Sequence, residues 1–179
     1  MDSVGATGIS PVTADEVAAN ADAFGGLLHA CVQAGASINF VLPFGAREAT
    51  AFWTEQVLPP MRAGVRTVWA ARDGGRIVGS VQLGYALQPN QPHRAEVTKL
   101  MVHPDHRRRG LAKALMTELE GHARRQGRSL ITLDTRTGDA AERLYTALGY
   151  VSVGVIPGFC LDPYGSGRLD STTVMYKAL

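Results

Sequence analysis

Cysteine is nearly absent from this chain: only Cys31 and Cys160 occur in 179 residues. Two thiols are too few for a disulfide framework, and neither belongs to a paired-cysteine metal motif. They are expected to stay reduced and semi-buried, as in a cytoplasmic protein. Long apolar runs are missing as well, since no stretch approaches the ~20 residues a membrane-spanning helix needs. The opening Met1-Asp2-Ser3-Val4-Gly5 has no basic region and no apolar run behind it, which argues against a secretory signal. An excess of one charge is lacking too. Lys+Arg 18 against Asp+Glu 16 leaves a formal net charge of +2. A dedicated nucleic-acid binder carries a far stronger basic bias. Internal repeats at solenoid periods are absent.

What is present reads as an ordinary globular domain. Hydrophobic residues make up 45% and charged residues 19%, too apolar for disorder. At this length folding removes roughly 70% of the unfolded chain's surface, enough for a full core in one domain.

Residues 1–12, rich in Gly, Ser and Thr, read as a flexible leader ahead of a domain over 13–179. Thr13-Ala14-Asp15-Glu16 is a capping box that starts a helix. Its apolar positions run through Val17, Phe24, Leu27, Leu28 and Val32 until Gly35. A second helical stretch covers Ala46 to Leu58, where Pro59-Pro60 is expected to stop it. Arg66 to Ala71, Asp73-Gly74-Gly75 and Ile77 to Leu87 read as a β-hairpin. Ala95 to Val102 is the next strand. Gly110 to Gln126 is a helix closed by Gly127, with Leu111, Leu115, Leu119 and Ala123 on one face. Leu130 to Leu133 alternates as a strand. Asp139 is expected to cap a helix with Glu142 at its third position, and Gly149 ends it. Val151 to Ile156 and Thr172 to Tyr176 read as closing strands around a Gly/Pro/Asp-rich loop. The element order predicts a mixed α/β fold with a strand–helix–strand crossover at its centre.

That crossover holds His103-Pro104-Asp105-His106-Arg107-Arg108-Arg109-Gly110-Leu111-Ala112. A basic loop runs into a helix N-terminus, where unpaired N–H groups and the helix dipole favour anions. Gly110 and Ala112 keep backbone open to a ligand, so the segment is fitted to a pyrophosphate. A solvated arginine surface is the plain alternative. The bare R/Q-x-x-G-x-G/A pattern arises by chance in roughly one chain in five, so its context matters.

The context is a strand before, a helix after, and Ala141-x-x-Leu144-Tyr145-x-x-x-Gly149-Tyr150 downstream. Together these resemble the GNAT superfamily of acyl-CoA-dependent N-acetyltransferases. The resemblance implies a single GNAT-like domain, with a central mixed, twisted sheet of six to seven strands and about four flanking helices. It implies acetyl-CoA as co-substrate, no metal, and a homodimer as one oligomeric option. The cofactor contacts it implies are Leu100, Met101, Val102, Arg107, Arg108, Arg109, Gly110, Leu111, Ala112 and Lys113. Many members place an Asn three residues before the alanine matched by Ala141, where this chain has Gly138. A narrower likeness lies in Arg94-Ala95-Glu96-Val97, Lys99-Leu100-Met101-Val102, Leu133-Asp134-Thr135 and Pro157-Gly158-Phe159-Cys160. These segments resemble the tabtoxin-resistance branch, whose enzymes acetylate a small amino-acid-like toxin.

Acetyl transfer to an amine needs a base, because the ammonium form cannot attack a thioester. Glu96 lies six residues before Val102, about 20 Å along a strand. That is comparable to the reach of the pantetheine arm, which makes Glu96 the first candidate. Asp134, at the end of the neighbouring strand, is the second, and the resemblance turns both toward the acceptor; Asp134 can equally begin a turn. Tyr145 shares a face with Ala141, Leu144 and Leu148 and reads as a packed aromatic. The resemblance makes it a general acid for the departing thiolate, a role compatible with packing. Backbone N–H groups around Thr98 to Leu100 are placed to polarise the carbonyl. His103 and His106 have no carboxylate or thiol set to complete a metal site. Cys160 has no local histidine to activate it, which disfavours a covalent route. Phe40 and Phe159 are expected to wall the acceptor pocket, with Asn39 and Asp162 binding polar ends. The reading is transfer to a small amine, an amino-acid-like compound or antimetabolite. A protein or peptide acetyltransferase and a non-catalytic acyl-CoA sensor stand as alternatives. Nucleic-acid binding through the arginine cluster comes third.

Overall fold

A computed structural model describes residues 8–179. Seven strands form one sheet in the order β1-β2-β3-β4-β5-β7-β6. Here β1 is Gly8–Val12, β2 Arg66–Asp73, β3 Arg76–Tyr85 and β4 Arg94–Val102. The far side holds β5 Leu130–Arg136, β6 Val151–Leu161 and β7 Leu169–Ala178. All neighbours are antiparallel except β4 and β5, which the crossover helix α5 (Leu111–Arg125) makes parallel. This is the mixed α/β fold the element order predicts.

The two sheet faces carry separate cores. On one, the Leu111, Leu115, Leu119 and Ala123 stripe of α5 packs with Trp69, Leu83, Val97 and Ile131, joined by Tyr145. On the other, α1 (Ala14–Ala19), α2 (Ala21–Gln33), α3 (Ala46–Ala51) and α4 (Leu58–Arg62) bury Phe24, Leu28, Trp53 and Val57 over the strands. The helix α6 (Ala140–Ala147) closes the first face beside β5.

Several local expectations change. Residues 8–12 are not a leader but an edge strand, with Gly8 to Val12 paired in register to Arg72 to Val68. Residues 1–7 lie outside the described part. The Thr13 capping box forms, Thr13 Oγ1 accepting from Glu16 N at 3.1 Å and Glu16 Oε2 from Thr13 N at 2.8 Å. The helix then breaks at Asn20, whose side-chain amide donates to the Glu16 carbonyl and whose φ of −119° leaves the helical range.

Pro59-Pro60 does not end the second helical stretch. Phe52–Val57 widens into a π-turn, and the prolines fall in the first turn of α4, where a missing N–H costs no helical bond. Asp139 precedes α6 but makes no side-chain cap. Its carboxylate instead accepts two bonds from Arg136, each 3.0 Å, a bidentate pairing that outcompetes a cap. The last two strands are longer than expected, so Pro157–Leu161 belongs to β6 and only 162–168 remains a turn.

The feature that positions a site is the short junction of β4 and β5. Their ladder holds only Arg94↔Leu130, Ala95↔Ile131 and Glu96↔Thr132. Beyond it the strands part.

Candidate functional site

From Val97 to Val102, the β5-facing edge of β4 has no strand partner among the described residues, and a cleft opens there. A bulge sits at the same place. Ser80 pairs with Met101 and Gln82 with Thr98, so two residues of β4 stand opposite one of β3. Lys99 takes up the irregularity with a φ of +52°, a strained value for a residue with a side chain.

Two adjoining cavities fill the cleft, of about 400 and about 450 Å³. Both are bordered by Ala36, Leu100, Arg107, Ala140 and Ala141. The second lies at the N-terminus of α5. It is lined by Leu100, Met101, Val102, Arg107, Arg108, Gly110, Leu111, Ala112 and Lys113, with Cys31 and Leu144 opposite. Gly110 precedes α5 with φ of +79°, and a Cβ there would meet nothing within 4 Å. Its bareness therefore keeps the helix N-terminus open while satisfying a left-handed turn. Arg107 donates Nε to the Val102 carbonyl at 3.3 Å, which folds the loop back over β4. Arg109, expected here, points away: its Nη1 lies 3.9 Å from Asp73 Oδ2 at the end of β2.

The first cavity is bordered by Ser37, Ile38 and Asn39 after α2, by Val97 to Leu100, and by Asp134, Tyr145, Phe159 and Thr172. Asp134 lies in β5, not in a turn, and its Oδ2 accepts from Thr172 Oγ1 at 2.9 Å. Tyr145 is buried, its ring edge-on to Tyr150 at 5.6 Å. Burial and then the charge of Asp134 push its hydroxyl well above the ordinary phenol value. It is a hydrogen-bond donor at every physiological pH, and full proton transfer to a thiolate from it is uphill.

Glu96 is not in the lining of either cavity. It is half exposed at the last rung of the β4–β5 ladder, 3.9 Å from Arg94 Nη1. Alternation turns Ala95 and Val97 into the α5-side core and sends Glu96 to the opposite face. Asp162 is also elsewhere. It is buried in the β6–β7 turn and accepts from Tyr164 N at 3.0 Å, Ser166 N at 3.1 Å and the Ser166 hydroxyl. The Ser166 hydroxyl, then backbone N–H groups, hold its carboxyl below the ordinary value. It organises the turn and does not reach the cavity. Phe40 packs on Phe44 and Phe52, at 4.6 and 5.2 Å, as a floor outside the lining. Gly138, where the resemblance leads to an expectation of asparagine, has φ of +83°, the left-handed region that asparagine also tolerates.

Lys99 is the functional candidate that pattern reading passes over. In a regular strand it would share the core face of Ala95 and Val97, and a lysine there is itself a signal of a bulge. The bulge hands that core place to Leu100 and turns Lys99 to the cavity, over the rings of Phe40 and Phe52 at 5.6 and 5.7 Å. Burial, then the like charge of Arg66, lowers its pKa to about 8, against a smaller raising effect from Asp134.

The Acetyltransferase (GNAT) family model matches residues 39–150. Over 87 residues the chain is 40% identical to an acetyltransferase of Pectobacterium atrosepticum, a match covering 48% of this chain and 58% of that one. The chain spans 39% to 58% of the length of the curated relatives it matches. The fold superposes on a ribosomal-protein-alanine N-acetyltransferase from Brucella melitensis with a TM-score of 0.77, at 21% identity, covering 96% of this chain and 99% of that one. It superposes on a Salmonella typhimurium acetyltransferase solved with acetyl-CoA at a TM-score of 0.73 and 22% identity, covering 97% and 94%. At these identities the structural likeness is one of fold.

The lowered pKa of Lys99 has a consequence for stability. The unfolded lysine keeps its proton up to about pH 10.4, whereas the folded one loses it near pH 8. Between those values the unfolded state binds more protons, so this group's contribution to stability rises with pH. Urea denaturation of the wild type and Lys99→Met at about pH 7 and about pH 10 checks this. The stability of the wild type relative to the variant is expected to increase at the higher pH. A gap that stays constant or moves the other way contradicts it.

Proposed function

The chain belongs to the GNAT acetyltransferase family, and on that premise we propose that it moves an acetyl group from acetyl-CoA to the primary amine of a small, amino-acid-like molecule. The observation that carries this reading is the meeting of an anion-ready cavity at the α5 N-terminus with a second cavity holding Asp134 and Tyr145. Residues 13–179 then act as one acetyltransferase domain, with β1 added at its sheet edge.

The residues present suit acetyl-CoA. The free N–H groups at the start of α5, with Arg107, Arg108 and Lys113, would hold its pyrophosphate. The unpaired edge of β4 from Leu100 to Val102 would pair with the amides of its pantetheine arm, against Ala140, Ala141 and Leu144. When bound, it supplies an acyl group activated toward amines.

The chain's own groups do the rest. Asp134 accepts the proton of the acceptor's ammonium, directly or through water, because its carboxylate borders the cavity and Glu96 does not. Thr172 orients it. N–H groups of the β4 bulge, Thr98 to Leu100, point stabilising dipoles at the carbonyl oxygen. Tyr145 donates a hydrogen bond to the sulfur and excludes water. Asn39 and Phe159 border the acceptor.

A small acceptor is favoured by the roof of this cavity. The Pro163 carbonyl accepts from Leu42 N at 2.9 Å, tying the β6–β7 turn to the segment after α2. Gly35 also borders the cavity and leaves no room for a Cβ, which would come within 2.0 Å of the Tyr164 hydroxyl. A peptide would have to displace this contact. The likeness to the tabtoxin-resistance branch in residues 94–102, 133–135 and 157–160 points the same way, toward an amino acid or antimetabolite. Cys31 and Cys160 are free thiols, in keeping with a reducing cytoplasm.

Free-thiol release from acetyl-CoA, measured over amino acids, polyamines, aminoglycosides and short peptides, tests the reading. Release with a small acceptor is expected, and Asp134→Asn should lower kcat by about 100-fold or more without changing acetyl-CoA affinity. Glu96→Gln should cost less. A larger loss with Glu96→Gln would move the base to that residue, and release with peptides alone would sink the small-acceptor claim. Silence with every acceptor, while acetyl-CoA still binds, would make this a binding module.

The homodimer has its own support. β6 is an edge strand paired only to β7, with Val153 67% and Phe159 50% exposed along it. An uncovered edge of this length is an aggregation hazard, and a second copy is the partner we assign to it. Light scattering should give twice 19.1 kDa. A monomer at all workable concentrations would overturn this.

A further inference from the structure

The charges left over at the acceptor end form an unusual pair. Lys99, Arg107, Arg136, Asp134 and Asp139 border this cavity. Arg136 is consumed: it forks onto Asp139 and reaches Asp170 at 3.5 Å. Arg107 is turned to the phosphate end by its bond to the Val102 carbonyl. What remains among the described residues is one cation, Lys99, and one anion, Asp134.

Lys99 Nζ makes no hydrogen bond or ion pair with any described residue, and it stays open to the cavity. Asp134 acts on it as a counter-charge from a distance, but the two form no ion pair. Below it lie two aromatic rings, and beside it is Arg66, a like charge already bound to the Gln56 carbonyl at 3.3 Å and to Gln82 Oε1 at 3.1 Å. An ammonium taken out of bulk water without a directly paired counter-charge is costly, and the bulge that holds it there is strained besides. Neither the core nor the sheet needs a lysine at this place. An anion brought by the acceptor would supply the missing partner.

We propose that Lys99 receives a carboxylate of the acceptor while Asp134 receives its ammonium, so that the substrate is a zwitterion, an α-amino acid or a close analogue. The inference rests on the acetyl-transfer reading and narrows it. One group fixes the acceptor's orientation and the other takes its proton, which places the nitrogen on the β5 side of the cleft. A charge pair of this kind discriminates sharply, because an acceptor without the carboxylate leaves the desolvated lysine unpaired.

The test pairs each of several α-amino acids with the amine made by removing its carboxylate, such as lysine with cadaverine and phenylalanine with phenethylamine. Free-thiol release is measured for the wild type, Lys99→Met and Lys99→Arg, and acetyl-CoA binding is measured in parallel. The wild type should prefer the amino acid of a pair about 10-fold or more in kcat/KM. Lys99→Met should raise KM for that amino acid about 30-fold, leave the decarboxylated amine within about 3-fold, and leave acetyl-CoA affinity unchanged. Lys99→Arg should recover part of the loss.

Amines that serve as well as their parent amino acids would overturn the anchor and leave acetyl transfer standing. So would a loss shared equally by both members of each pair, or a fall in kcat with KM unchanged. Silence with every acceptor, under intact acetyl-CoA binding, would overturn the transfer reading and the anchor together.

Discussion

The parting of β4 from β5 after three paired residues is the constraint on which the rest of this molecule depends. A parallel ladder ordinarily runs the length of both strands and satisfies every backbone group along it. Here the ladder is abandoned at Glu96↔Thr132, and the edge of β4 is left facing a cleft. A protein can sustain that opening only if the strands are held firmly elsewhere. The antiparallel ladders of β2, β3 and β4 anchor one wall, and those of β5, β7 and β6 anchor the other. The stripe of α5 and the ring of Tyr145 bridge the two beneath the cleft.

The same opening sorts the chemistry by position. At its α5 end, Gly110 and the basic loop present unpaired N–H groups and positive charge, which suits an anion with several oxygens. At the other end the charges are mostly spent on one another, through Arg136 with Asp139 and Asp170. This leaves Asp134 and Lys99 as the groups still free to meet a ligand. The bulge in β4 links the two ends, since it both frees backbone groups and aims Lys99.

Much of this was legible in the sequence, and the boundary between what was and what was not is physical. The capping box at Thr13, the β2–β3 hairpin, the stripe of α5 and the glycine-opened loop are local, so spacing alone reveals them. The residues expected around the basic loop line the cavity at the α5 N-terminus for the same reason, save Arg109, whose partner Asp73 lies at the end of β2. The acceptor end was read less well. Glu96, the first candidate, lies outside the cavity lining and Asp134 within it, because strand length measures distance along the chain and not the face a side chain takes. Lys99 was passed over because a bulge reverses the alternation on which a strand is read. Asp162 and Phe40 found closer partners in Ser166 and in Phe44 and Phe52. The edge strand β1 was invisible because its pairing to β2 crosses more than fifty residues of sequence.

The central claim is that the parted strands receive acetyl-CoA. Amide hydrogen exchange with and without that ligand tests it most directly, because the unpaired edge of β4 and the first turn of α5 would gain hydrogen-bond partners only there. The account predicts slower exchange over residues 97–102 and 110–113 when acetyl-CoA is added, with β1, β2 and β6 nearly unchanged. Exchange that is unaltered in those two segments, or protection that falls on another face of the sheet, would contradict it.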